Sequence, residues 1–324
     1  MLETWLTARL GIAVPVVSAP MAGAAGGRLA GAVSAAGGLG MIGVGDTATP
    51  DWVRAQAGVA AGSGAPYGIG LLAWARPDRL GLIEAVLGLG TPPALVSVSY
   101  GDPPGDERRL LPALQAAGIV VATQVGSLPD AHRAAQDGFD VLVARGGEGG
   151  GHGRDAVATL PLLQEVLDAG PGDRLPVLAA GGVGTARGVA AVLAAGAAGA
   201  WVGTAFLAAR ESVVPPPAKA RLLAAVSTGT VYTHAFDRGL SLGWPPEFGG
   251  RALRNAFTDA WTGREQDLAQ ADAARQQLAG ARAAGDYDQA HIYAGQGVGL
   301  LREERPAAEI VAELAEAEAL LRRW

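Results

Sequence analysis

The segment Arg145-Gly146-Gly147-Glu148-Gly149-Gly150-Gly151-His152-Gly153 sets one titratable ring in a run of glycine. Glycine this dense forms helix or strand poorly, so the segment reads as a loop in which backbone approaches a ligand closely. An imidazole held there can take a proton near neutral pH, which general-base chemistry requires, and His152 is the catalytic candidate. The plainer alternative is a surface loop with an incidental histidine. Two further loops suit an anion. Ala179-Ala180-Gly181-Gly182-Val183-Gly184 opens a helix, and Gly203-Thr204 follows another apolar run. Backbone N–H groups at a helix start cradle phosphate; the alternative is a tight packing turn. Ser18-Ala19-Pro20-Met21-Ala22-Gly23 ends a strand in small residues against which a planar ring could lie. Gln124 offers an uncharged amide for a ring carbonyl or ring nitrogen. Tyr232, His234 and Phe236 form a candidate substrate wall, with ordinary packing as the alternative. His132, beside Arg133, reads as solvated, and His291 as packing.

Other chemistries are excluded or weak. The chain has no cysteine, so disulfides, iron–sulfur clusters, thiolate zinc sites and a Cys nucleophile are out. No His and carboxylate group has metal-ligand spacing, so no metal is expected. Gly38-Leu39-Gly40-Met41-Ile42-Gly43 satisfies GxGxxG but lies inside an apolar run with no helix at its end. Gly239-Leu240-Ser241-Leu242-Gly243 satisfies GxSxG, yet Trp-Pro-Pro follows where a nucleophile elbow needs a helix. The formal charge is -6 and no basic stripe is visible, which argues against nucleic acid and anionic membrane as partners. The stretch 188–209 is uncharged, but it is Ala- and Gly-rich and broken at Gly196 and Gly199, so it reads as helix, turn and buried strand. The first ten residues show no signal peptide, and a cytoplasmic protein is the expectation.

Elements able to hold these loops recur along the chain. Apolar runs at 15–21, 39–45, 67–74, 95–100, 119–125, 141–145, 176–180 and 200–206 read as strands covered on both faces. Helical patterns fall between them at 28–36, 51–61, 77–87, 106–117, 129–136, 160–169 and 185–195. Gly37, Gly62, Gly118, Gly138, Gly170 and Gly196 are expected to end six of these helices in the left-handed conformation. Eight βα units predict an α/β fold, a (β/α)₈ TIM barrel, whose functional groups sit on the loops after the strands. The rhythm stops after Phe206. Residues 209–299 are expected to form a mainly helical insertion, a lid over the mouth. The barrel would comprise 1–208 and 300–324, with an amphipathic last helix at 306–323.

Five segments together resemble one family. They are Ala19-Pro20-Met21-Ala22, the Gly-rich loop ending in His152, Ala180-Gly181-Gly182 with Gly203-Thr204, Gly250-Arg251-Ala252-Leu253-Arg254-Asn255, and Tyr293-Ala294-Gly295-Gln296-Gly297-Val298-Gly299-Leu300. They resemble the nitronate monooxygenases, formerly 2-nitropropane dioxygenases, from about Val14 to about Glu313. The resemblance implies non-covalent FMN, its phosphate at Gly181, Gly182, Gly203 and Thr204. The ring would lie near Ala19, Pro20, Met21, Ala22 and Gln124, bordered by Arg145, Gly151 and Ala180, with Gln296 reaching in. His152 would be the base toward nitroalkanes, and O₂ the oxidant that turns nitronates into carbonyl compounds and nitrite. A homodimer is admitted, though the sequence does not fix the oligomeric state. The family usually has Gln where Arg145 stands, Ala where Gly149 or Gly150 stands, and in many members Lys or Arg where Gln124 stands. Arg145 would favour an anionic substrate or the anionic reduced flavin. Two other functions stay open: an NAD(P)H-dependent flavin reductase, such as the FMN-type enoyl-acyl-carrier-protein reductase, and a non-catalytic barrel that binds a phosphorylated ligand.

Overall fold

The computed structural model of the chain describes residues 2–74, 79–101 and 110–323. Eight parallel strands form one sheet: β1 (Val16–Ser18), β2 (Gly40–Gly43), β3 (Tyr67–Leu72), β4 (Leu95–Ser99), β5 (Val120–Val125), β6 (Val141–Arg145), β8 (Val177–Ala180) and β9 (Gly199–Val202). A further strand, β7 (Gly151–Gly153), lies outside that sheet. The order β1-β9-β8-β6-β5-β4-β3-β2 returns on itself through a parallel bridge between Val17 and Leu39. There Ser18 N–H donates to Leu39 O and Leu39 N–H to Val16 O, both at 2.9 Å. The ring is an α/β TIM barrel.

Alternation along each strand sorts the apolar residues into two cores. Val17, Met41, Leu95, Val120, Ala122, Val141, Val143, Leu178 and Trp201 fill the barrel, joined by Leu6 and Leu10 of the N-terminal helix Trp5–Leu10. Val16, Ile42, Ile69, Val96, Val121, Leu142, Val177 and Ala200 face outward, onto the surrounding helices. The GxGxxG match is a packing device. A Cβ at Gly40 would fall 1.8 Å from Ala30 O, and one at Gly43 2.4 Å from the Met21 carbonyl carbon.

All eight strands lie within or next to the expected runs but several end earlier: the first stops at Ser18, and the eighth ends at Val202, because Thr204–Leu207 turns into a short helix. Within the stretch 188–209 lie the end of helix Ala186–Ala194, a turn and β9. No described helix is long and apolar enough to cross a membrane. The expected helices at 77–87 and 106–117 begin outside the described residues; their described parts are Arg79–Leu87 and Leu110–Ala116. Of the six helix-ending glycines, Gly62 (φ -58°) and Gly170 (φ -107°) are not left-handed. Helices Ala307–Ala315 and Ala317–Leu321 complete the outer layer, packing beside Gly27–Ala35 and Ala186–Ala194.

Between β9 and these last helices the chain adds helices Pro216–Ala224, Ala235–Leu240, Ala256–Trp261 and Asp272–Ala284, together with two strands that the sequence pattern had hidden. These are β10 (Thr230–Thr233) and β11 (Gly249–Leu253). β11 is the middle strand of an antiparallel sheet, with β10 on one side and β7 on the other. The glycine-rich loop after β6 is thus partly strand, tied to the insertion.

Candidate active site

Arg145 ends β6 and is 4% exposed. Its guanidinium donates to the carbonyls of Gly149 (2.6 Å), Gly151 (3.0 Å) and Arg154 (3.0 Å). Burial lowers its pKa, but a guanidinium stays charged near neutral pH. Arg251 on β11 donates to Gly147 O at 2.6 Å and to Asp155 at 2.7 Å. Two buried cations therefore serve the carbonyls of one loop. Glu148 folds the other way, accepting from Thr159 N and Thr159 Oγ1, each at 2.9 Å. The glycines follow from this crowding. A Cβ at Gly153 would lie 2.3 Å from an Arg145 nitrogen, and one at Gly150 2.4 Å from Gly295 N. The segment is a packed platform, and Arg145, expected to face an anionic ligand, is spent on holding it.

His152 stands on β7 opposite Gly250, 7% exposed. Its Nε2 lies 2.9 Å from Asp237 Oδ1, an oxygen that also receives the Tyr293 hydroxyl at 3.4 Å. Trp244 stacks face to face on the imidazole, with ring centroids 3.5 Å apart and planes 3° from parallel. Trp74 and Tyr100 pack on Trp244, and Phe248 packs on Tyr100. Tyr100 holds a left-handed φ of 73°, which a bulky residue adopts only where its surroundings hold it. Burial is the largest influence on His152 and pulls its pKa below the ordinary value; the hydrogen bond and charge of Asp237 oppose it.

The other expected residues fall as follows. The amide N–H groups of Gly181, Gly182, Gly203 and Thr204 donate to no described residue, leaving donors for an anion at the ends of β8 and β9. Gly181 has φ 112°, and a Cβ there would meet Thr159 Oγ1 at 2.4 Å. Ala180 O accepts from Gly146 N, joining this turn to the platform. Ala19 and Met21 border Gly203, Pro20 fills the space above Gly70, and Ala22 lies against Gly45. Gln124 bonds the Tyr100 hydroxyl through its side chain. Gln296 donates its backbone N–H to Glu148 O at 2.9 Å and its side chain is exposed. Thr204 Oγ1 accepts from Gly295 N at 3.0 Å, so the 293–300 segment is laid along the same rim. Four unpaired amides at a turn whose positive φ and close approach require glycine fit a phosphate-bearing cofactor.

Tyr232 is a strut: its hydroxyl donates to Gly153 O at 2.9 Å and accepts from Gly249 N at 2.8 Å. His234 begins the helix Ala235–Leu240 and meets the Tyr232 ring edge-on, with centroids 5.8 Å apart. Ser241 of the GxSxG match accepts a hydrogen bond from Arg275 on the surface and is no nucleophile. No metal-ligating cluster occurs among the described residues. Asp237, Trp244 and Glu148 were not legible as site residues. The one available hint for Asp237 was an acid directly following the apolar pair Ala235-Phe236.

A family model described as nitronate monooxygenase matches residues 3–78 and 82–317. A nitronate monooxygenase of Neurospora crassa is 32% identical over 339 residues, covering 93% of this chain and 88% of the relative. A Mycobacterium tuberculosis protein named (3aS,4S,5R,7aS)-5-hydroxy-7a-methyl-1-oxo-octahydro-1H-indene-4-carboxyl-CoA dehydrogenase is 38% identical over 236 residues, 73% of this chain, and the match spans 64% of that relative. Among solved structures, FabK from Thermotoga maritima is similar with a TM-score of 0.84 at 30% identity, covering 100% of this chain and 98% of the other. A nitroalkane oxidase from Streptomyces ansochromogenes is similar with a TM-score of 0.81 at 30% identity, covering 98% and 99%.

Proposed function

Since the chain belongs to the nitronate monooxygenase family and is an oxidoreductase, we propose that it is an FMN-dependent enzyme that converts alkyl nitronates or nitroalkanes with O₂ into carbonyl compounds and nitrite. The observation that carries this reading is one buried imidazole on a glycine platform that also adjoins the turn of Gly181 and Gly182, with their unpaired amides. When bound, FMN supplies the redox chemistry between nitronate and oxygen. The amides of Gly181, Gly182, Gly203 and Thr204 hold the phosphate. Ala19, Pro20, Met21, Ala22, Gln124 and Gln296 border the ring, with Gly151 and Ala180 close by and Arg145 acting through the platform it holds. His152 takes the α-proton of a neutral nitroalkane, whose C–H pair passes into the nitro group. Residues 209–299, with Tyr232 and His234, act as a lid over a barrel made of 1–208 and 300–324.

The test is the absorption spectrum of the purified protein, then nitrite release from propionate-3-nitronate and from a nitroalkane under air. A colourless protein that takes up no FMN removes the reading and leaves a regulatory barrel. His152→Asn is expected to keep FMN and lose about a hundredfold or more on neutral nitroalkanes, with preformed nitronates affected far less. Unchanged turnover of neutral nitroalkanes would take His152 out of the chemistry. A second reading, an NAD(P)H-dependent flavin reductase, draws support from the dehydrogenase among the relatives. Rapid bleaching of the flavin by NADH without oxygen would select it.

A further inference from the structure

We propose that Asp237 is the positioning residue for the base: it binds the Nε2–H of His152, fixes that tautomer, and leaves Nδ1 with its lone pair for the substrate. The inference rests on the reading of the site as one that deprotonates nitroalkanes. The side chains of His152 and Asp237 are 6% and 7% exposed and their contact is 2.9 Å. A carboxylate only accepts, so Nε2 carries the hydrogen and a neutral ring has its lone pair on Nδ1. Nδ1 makes no hydrogen bond to a described residue. Trp244 fixes the plane of the ring and Tyr293 O–H fixes the carboxylate, so the imidazole can neither flip nor tilt without breaking contacts.

The groups facing the ring support the assignment. Arg145 and His234 disfavour a charged imidazole, as burial does more strongly; Asp237 favours it. The Tyr293 hydroxyl, with a pKa raised well above 10, stays neutral, and His291, with a pKa near 4, is neutral at neutral pH. Asp237 is therefore the group that makes proton uptake tolerable in a buried site. In the step itself the Cα–H bond of the nitroalkane breaks, its electron pair forms the C=N bond, and the N=O π pair moves onto oxygen to give the nitronate. The proton forms an N–H bond at Nδ1, and the new imidazolium faces the carboxylate through Nε2–H. Asp237 touches neither substrate nor cofactor and acts through His152.

Nitrogen-15 NMR of the ring in the intact protein reads the tautomer directly. Protonation at Nε2 is expected; a neutral ring protonated at Nδ1 overturns the proposal, whatever the variants do. In Asp237→Asn the titration midpoint of His152 should move to lower pH, since the charge that favours imidazolium is gone. kcat/KM for nitroethane should fall at least about tenfold, while that for preformed ethyl nitronate changes less than about threefold. Asp237→Glu should restore part of the loss. An unmoved midpoint, or equal losses on both substrates, marks Asp237 as merely structural. If the wild-type enzyme releases nitrite from neither substrate, the functional reading falls, while tautomer and titration still decide what Asp237 does to the ring.

Discussion

Two imidazoles share one aromatic pocket and differ by one partner. His152 has Asp237; His291 packs against Phe236 and Tyr293 and its Nδ1 has no partner. Burial lowers the His291 pKa from 6.5 to about 4. The folded state thus refuses a proton that the unfolded chain accepts. The stability this represents is fully present above the unfolded value of 6.5 and is lost as pH falls toward 4. Over that window the group should withdraw about 3 kcal/mol. His291→Phe should flatten the acid side of the stability curve relative to wild type, measured by urea unfolding at pH 7, 5.5 and 4.5; parallel curves would contradict it. His152 was legible because a titratable ring in dense glycine has few structural uses. Asp237 was not, because its partner is 85 residues away and only the pairing of β7 with β11, and of β11 with β10, brings the two together.

Elements built from continuous apolar runs were the easiest to read. Strands β1 to β6, β8 and β9 are covered on both faces, so their composition alone marks them. β7 and β11 of the antiparallel sheet were hidden for the opposite reason. β7 is Gly-His-Gly and β11 opens with Gly-Gly-Arg, and neither carries the branched residues or the alternation that mark a strand. Their glycines answer to neighbours: a Cβ at Gly250 would reach Tyr293 at 2.6 Å, and one at Gly249 would reach Tyr232 at 2.7 Å. The turn after β8 makes a similar demand, and Gly181→Ala tests it. The new Cβ must share space with Thr159 Oγ1 at a φ of 112°. A cost of about 1–3 kcal/mol and a fall in FMN retained through purification are expected. A variant with full flavin content and an unchanged Tm would show that the turn does not shape the cradle.

At the scale of the whole molecule, barrel and insertion are joined by buried polar contacts as well as by apolar ones. Lys219 Nζ donates to Ala209 O at 2.6 Å and to Glu304 Oε1 at 2.8 Å, linking helix Pro216–Ala224 to the chain just before the last helices. Lys219→Met should cost about 1–2 kcal/mol by removing the ammonium's bonds to Ala209 O and Glu304, the carbonyl keeping only its bond from Ser212 N–H. Hydrogen exchange should quicken at 296–300, where the Gln296–Leu300 turn packs against the same helix; exchange confined to 216–224 would show that the insertion does not move as a unit. The barrel was legible from its eight βα units. The way the insertion docks was not, because it depends on register between segments about a hundred residues apart.

That docking constrains how the protein can change. His152 belongs to the barrel by sequence and to the insertion by strand pairing, so the imidazole is held jointly by two parts of the chain. Grafting residues 209–299 from a relative would import a different β11, and with it a different seat for the imidazole, even if every barrel residue were kept. The glycine platform and the strand beside it should therefore change together, and recombination breakpoints that separate the two should yield folded proteins in which the imidazole has lost its seat.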